Sequence, residues 1–297
     1  MMESLPTQTY DWQGFSCAYR VTTATASQTP LLFIHPVGVG LSGRFWDRCL
    51  TAWQKMGGDR PCYVPDLLGC GESAMPHVAY YPEDWAAQLH HFITTVIGQP
   101  IILVVQGALF PVAMELASYD PEHIGGLIFS GPPTASLISE TTDPYWQQVR
   151  WNLFDSPLGW GFYLYARQES FLRQFSVDQL FATSTAVDAE WLQMLAAGCA
   201  NLESRHAVYS FLSGFWRKDY RPIMQQVNQP VLVVMGDEAS SISRDGGAEP
   251  PSERLKFYTQ TFPKATGVVI PGRNVLPYES ATAFVEAAQQ FLNAQHL

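Results

Sequence analysis

Six short apolar runs punctuate the chain, each bounded by Gly, Pro or Asp: "LLFIH" (31–35), "CYVPD" (62–66), "IILVVQ" (101–106), "GLIFS" (126–130), "VLVVMGD" (231–237) and "GVVIPG" (267–272). Their β-branched content and short length predict buried strands. Between them the period changes. "GRFWDRCLTAWQK" sets Phe45, Cys49 and Ala52 on one helical stripe, "PEDWAAQLHHFITTVI" opens with Pro82 and two acids, and "PVAMELASY" opens with Pro111. Proline and acidic residues in a first turn mark helix starts. Near the beginning, "YDWQGFSCAYRVT" predicts an antiparallel hairpin at the sheet edge. Strands and helices in alternation predict an α/β fold: a mostly parallel, eight-stranded sheet with helices on both faces.

From about Pro132 the alternation stops, and it resumes only near Gln229. The intervening stretch is crowded with aromatic residues, among them Trp146, Phe162, Phe171, Phe175, Trp191, Phe211 and Trp216, and includes the helical pattern "AEWLQMLAAGCANLESRHAVYSFLSGFW" (189–216). This predicts a core of residues 1–131 and 229–297 with a helical cap, 132–228, inserted into it. "SSISRDGGAEPPSE" (240–253) is the one segment that predicts a flexible loop.

Composition narrows the function classes. Hydrophobic residues are 47% of the chain and charged ones 15%, which predicts a folded protein with extensive apolar burial. A net charge of −10 excludes a phosphate-neutralising nucleic-acid binder. The five cysteines are odd in number and lack CxxC spacing, so neither a disulfide framework nor a metal site is expected. No 18-residue uncharged apolar run occurs and the start lacks an apolar leader pattern, so no membrane span and a cytoplasmic location are expected. No cofactor is expected either: "GVGLSG" follows a strand but lacks the acidic ribose-binding partner of a dinucleotide site.

Five segments carry the candidate chemistry: "FIHPVGVG" (33–40), "VPDLLGCGES" (64–73), "VVQGALFPVA" (104–113), "VMGDEASS" (234–241) and "IPGRNVLPYE" (270–279). In this order they resemble the α/β-hydrolase fold superfamily across nearly the whole chain. The resemblance implies an oxyanion loop at Val37 and Gly38, and a strand-to-helix elbow that holds a nucleophile in active members. Here the elbow position is Gly107, between Gln106 and Ala108. The resemblance puts the acid at Ala239 and the base at Val275, so all three triad positions hold residues that cannot do that chemistry, as in a pseudoenzyme. A similar glycine-bearing elbow occurs in the N-myc downstream-regulated family.

His35 is expected to orient its loop, Asp66 and Ser73 to stabilise a turn, Cys70 to be a buried small side chain, and Asp237 and Glu238 to lie on a solvated loop. The expected ligand-binding set is Val37, Gly38, Gln106, Gly107, Ala108, Arg273, Asn274 and Val275. Arg273 is included as an anion partner. The expected role is a non-catalytic binding module for an apolar small molecule, with one carbonyl or carboxylate end, or for a partner protein. Two alternatives stand beside it. One is a hydrolase or lyase acting on an ester or other carbonyl compound with a displaced catalytic set; the other is a scaffold with a vestigial pocket.

Overall fold

A computed structural model describes residues 5–23, 28–243 and 246–297. The leader reading above rests partly on residues 1–4, which lie outside the described residues. An eight-stranded sheet runs in the order β1-β2-β4-β3-β5-β6-β7-β8. Its edge is the antiparallel hairpin of β1 (Gln8–Trp12) and β2 (Phe15–Val21), and β2 pairs antiparallel with β4 (Cys62–Pro65). The rest is parallel: β3 (Leu31–Ile34), β5 (Ile101–Gln106), β6 (Ile124–Ser130), β7 (Val231–Gly236) and β8 (Ala265–Ile270) join β4.

Two helical layers sandwich the sheet, so the central strands have no polar face. All six residues of β5 are buried. Ile102 and Val104 pack with α1 (Asp47–Lys55) and α13 (Ala281–Ala294). Leu103 and Val105 pack with α2 (Pro82–Phe92), α3 (Phe110–Tyr119) and α11 (Pro251–Thr261). Burial on both faces is why these strands read as continuous apolar runs. The helical pattern of 82–97 divides, with α2 passing at Phe92 into a π-helical turn that Gly98 ends at φ +70°.

The chain leaves β3 toward β4 on one side and leaves β5 toward β6 on the other. That reversal opens a crevice at the carboxyl ends of β3 and β5, where sheets of this kind place their sites. Over this crevice stands the insertion between β6 and β7. It comprises α4 (Ala135–Ser139), α5 (Pro144–Phe154), α6 (Pro157–Ala166), α7 (Glu169–Phe175), α8 (Ala189–Gly198), α9 (Arg205–Ser213) and α10 (Arg221–Met224). The helical pattern of 189–216 is two helices rather than one. Asn201 breaks it by accepting the Glu203 N–H at 3.0 Å, and α9 then runs to Gly214 at φ +81°.

The insertion is seated on the core by backbone as well as side chains. A Cβ at Gly40 would overlap the Leu195 carbonyl, and one at Gly198 would overlap the Gly40 carbonyl, so glycine at both places lets α8 touch the loop after β3. Arg48 on α1 pairs with Asp188 and with Glu190, the latter at 2.6 Å, and lies 4.0 Å over the Tyr278 ring on α12 (Leu276–Glu279). Among the described residues, no helix is long and apolar enough to cross a membrane.

Candidate functional site

The turn from β5 into α3 holds the centre of the crevice. Gln106 is extended, Gly107 takes φ +57°, and a short 3-10 turn through Leu109 leads into the helix that Phe110 and Pro111 begin. A left-handed φ is nearly free for glycine and costs other residues about 1–2 kcal/mol. Space is not the constraint: the nearest atom to a Cβ built on Gly107 is the Gly131 carbonyl oxygen at 3.9 Å. The backbone of the elbow is therefore formed, with room for a side chain that this sequence does not supply.

Three loops surround it. After β3, His35 is fully buried, with Nδ1 2.8 Å from the Pro36 carbonyl and Nε2 accepting the Leu67 N–H at 3.1 Å. Those partners require Nδ1–H as donor and a neutral ring, and burial pushes the imidazole pKa down in the same sense. His35 orients the loop that carries Val37 and Gly38. After β7, Asp237 accepts the Gly272 N–H at 2.9 Å and Ala239 is buried. After β8, Asn274 donates to the Gln179 carbonyl at 2.7 Å, accepts the Ser240 N–H at 3.3 Å, and precedes the buried Val275.

Between core and insertion lies a cavity of about 550 Å³. Its floor brings together Val37, Gly38, Gln106, Gly107, Ala108, Asn274 and Val275. Its walls include Phe162, Phe171, Phe175, Trp191, Phe211 and Trp216 from the insertion. Among the described residues no histidine lines it. Arg273 does not belong to this set. Its Nε donates to Ser240 Oγ at 2.9 Å and its Nη1 to the Asp178 carbonyl at 2.6 Å, so the side chain fastens its loop to the insertion instead of facing a ligand.

Arg150, Arg217 and Arg254 line the cavity, and the most deeply buried of the three is one that the sequence pattern does not single out. Arg254, on α11, is only 2% exposed. Its Nε meets Glu249 at 3.2 Å, while its Nη2 is buried without a hydrogen-bond partner among the described residues. Burial lowers the guanidinium pKa, with Glu249 opposing. The loop pattern of 240–253 hides it: α11 already starts at Pro251, and residues 244–245 of that loop lie outside the described residues. A second unsatisfied group is Gln106, whose Nε2 donates to the Asn274 carbonyl at 2.7 Å while its buried Oε1 accepts no hydrogen bond among the described residues.

Other candidate groups have structural partners. Asp66 accepts the Gly43 N–H at 2.7 Å and the Glu72 N–H at 2.8 Å, and Ser73 bridges Asp66 and Ala18. Cys70 is buried, and burial raises its thiol pKa, which removes the thiolate needed for attack. The grouping with metal-ligand geometry among the described residues, His77, Asp155 and His206, lies away from this cavity.

Comparison with known proteins places this geometry among others. The sequence profile described as the alpha/beta hydrolase family matches residues 31–288. A haloalkane dehalogenase of Bradyrhizobium diazoefficiens is 33% identical over 116 residues, 39% of this chain and 36% of that protein. A provisionally named non-heme chloroperoxidase of Synechocystis sp. is 25% identical over 236 residues, 76% of this chain and 80% of that protein. Among solved structures, a thermophilic esterase from Thermogutta terrifontis superposes with a TM-score of 0.73 at 19% identity, covering 99% of this chain and all of that one. A bromoperoxidase from Bacillus anthracis superposes at 0.72 with 18% identity, over 98% of this chain and 100% of that one.

Proposed function

The chain belongs to the alpha/beta hydrolase family, and we propose that within it this protein is a binding module that lacks the Ser-His-acid triad and takes an apolar small molecule with one carboxylate or carbonyl end. The observation that carries this reading is the cavity floor: Gly107 stands in elbow geometry with no hydroxyl, and no histidine lines the space above it among the described residues. Activating a hydroxyl needs a base within about 2.6–3.2 Å, itself held by a third group. At the positions for that base and acid stand Val275 and Ala239, both buried and both without a proton to give or take.

The volume of about 550 Å³ suits a ligand of drug or lipid-fragment size. Residues 132–228 act as its cap, and Phe171, Phe175 and Phe211 hold the apolar body. A carboxylate end pairs with the free Nη2 of Arg254, since a buried unsatisfied guanidinium N–H gains a charge-assisted bond there. A carbonyl end has the N–H groups of Val37 and Ala108, the latter in a first helical turn where N–H groups lack intrahelical partners.

Native against denaturing mass spectrometry of the protein from its own host is expected to show a defined small mass that denaturation releases. In displacement of a fluorescent long-chain carboxylate, Arg254→Met is expected to weaken binding by about tenfold or more and to leave the methyl ester unaffected. No bound mass together with no saturable carboxylate binding overturns the proposal. The relatives' names favour a second reading, a hydrolase with a displaced catalytic set. Ester or haloalkane turnover above a heat-treated control would decide for it.

A further inference from the structure

Away from the cavity, three side chains from three parts of the chain converge. His77 lies on the core loop between β4 and α2, Asp155 at the end of α5, and His206 in the first turn of α9. Nε2 of His77 is 2.8 and 2.9 Å from the two Asp155 oxygens, and Nε2 of His206 is 4.0 Å from Oδ1 of the same carboxylate. The two rings stack at 4.1 Å and 9°, with their planes nearly parallel. His206 is completely buried, yet neither ring nitrogen has a hydrogen-bond partner among the described residues. Buried imidazoles are nearly always paired, so an imidazole with both nitrogens orphaned asks for a ligand.

We propose that His77, Asp155 and His206 bind one divalent transition-metal ion of the zinc class, stapling the insertion to the core. Imidazole and carboxylate are the donor types such an ion takes. With bonds of about 2.0–2.1 Å, neighbouring ligand atoms in a tetrahedral site lie about 3.3 Å apart. The distances of 2.8 and 4.0 Å bracket that edge, and all three ligand atoms fall within 4.8 Å of one another. An imidazole lone pair lies in its ring plane, so one ion can take both histidines only once the exposed His77, at 57% of its side chain, rotates out of the stack while the buried His206 stays in place. Glu203 Oε2 lies 3.6 Å from Nδ1 of His206, outside hydrogen-bond reach, and a small side-chain shift would let it accept that N–H as the outer carboxylate of a ligating histidine does. The nearby cation, Arg205, is neutralised by Glu203 Oε1 at 2.7 Å.

Of the three ligands Asp155 also lines a cleft of about 380 Å³ with Arg205, Trp160 and Tyr209, through which water would complete the coordination. The consequence is mechanical. α9 also supplies Phe211 and Leu212 to the large cavity, so an ion at its first turn would brace that wall. Spacing along the chain predicts no metal set, since His77 and Asp155 are separated by 78 positions.

The test is a titration of chelator-treated full-length protein with Zn²⁺, and with Co²⁺ for its ligand-field absorption. One equivalent is expected to bind and to raise the melting temperature, with an absorption band typical of low-coordinate Co²⁺. His77→Ala and Asp155→Asn are expected to weaken binding by more than about tenfold, and His77→Cys to retain it. His90→Ala, in a separate His90–Asp120–His123 cluster, is expected to change nothing. Both ligand variants are partly exposed and leave the buried His206 in place, so folding is preserved. No saturable single-equivalent binding, or unchanged binding in His77→Ala and Asp155→Asn, overturns the proposal.

Discussion

Gly107 shows how a single position separates the shape of a site from its chemistry. The φ of +57° is what a nucleophile elbow demands, and glycine meets it without strain. Gly107→Ser has room for its side chain, so the variant is expected to fold with a loss of about 1–2 kcal/mol, measured by denaturant unfolding. Its esterase activity is expected to stay at background, because among the described residues no imidazole lines the cavity to take the serine proton. Substantial turnover by this variant would reveal a base that the described geometry does not contain. Arg254 teaches the complementary lesson. A buried cation with an unused N–H is a stronger pointer to a ligand than Arg273, whose loop position matches a motif but whose Nε and Nη1 are spent on Ser240 and Asp178 and which does not line the cavity.

At the scale of elements, what seats α8 on the loop after β3 is the absence of side chains at Gly40 and Gly198. Gly198→Ala would push a Cβ into the Gly40 carbonyl, and backbone cannot yield as a flexible side chain can. The expected cost is about 1–3 kcal/mol, with faster proteolysis inside 132–228 as α8 lifts. Gly161→Ala in α6 is the contrast: nothing lies within 4 Å of its Cβ, so up to about 1 kcal/mol of stabilisation is expected. Equal destabilisation by both would show that helix propensity, not the α8 contact, controls the effect. The second glycine of "HPVGVG", Gly40, thus has a steric role that no reading of the motif as a phosphate cradle would supply.

Across the whole molecule, polar joints tie insertion to core around Asp188. Its carboxylate caps α8 through the Trp191 N–H at 2.9 Å, accepts the Tyr278 hydroxyl at 3.0 Å, and pairs with Arg48. Burial pushes this carboxyl up, but the Trp191 N–H, Arg48 and Tyr278 outweigh it and hold the pKa below the usual range. A depressed pKa stabilises the fold above the unfolded value of about 3.9, and that contribution is lost as pH falls through the folded value. Asp188→Asn keeps a capping side chain and removes the charge. It is expected to cost about 0.5–1 kcal/mol at neutral pH, discounted because the side chain is 37% exposed, and nothing once Asp188 itself is protonated. Unfolding curves of both proteins from pH 7 to pH 2 check this; a gap that persists at low pH would mean the charge is not its source.

The order of strands and helices, the place of the insertion and the glycine elbow were all legible in the sequence, because they rest on local rules: apolar runs for buried strands, proline at helix starts, glycine where φ is positive. The floor of the cavity was legible for the same reason, since Val37, Gly107 and Val275 each follow a strand end. Local rules do not reach further. They could not show that Arg254 turns inward while Arg273 turns away, that Gly40 meets Gly198, or that His77, Asp155 and His206 meet at all. Each of those depends on how helices far apart in the chain pack over the crevice, and packing is decided by the volume and burial of the whole fold rather than by any one stretch of it.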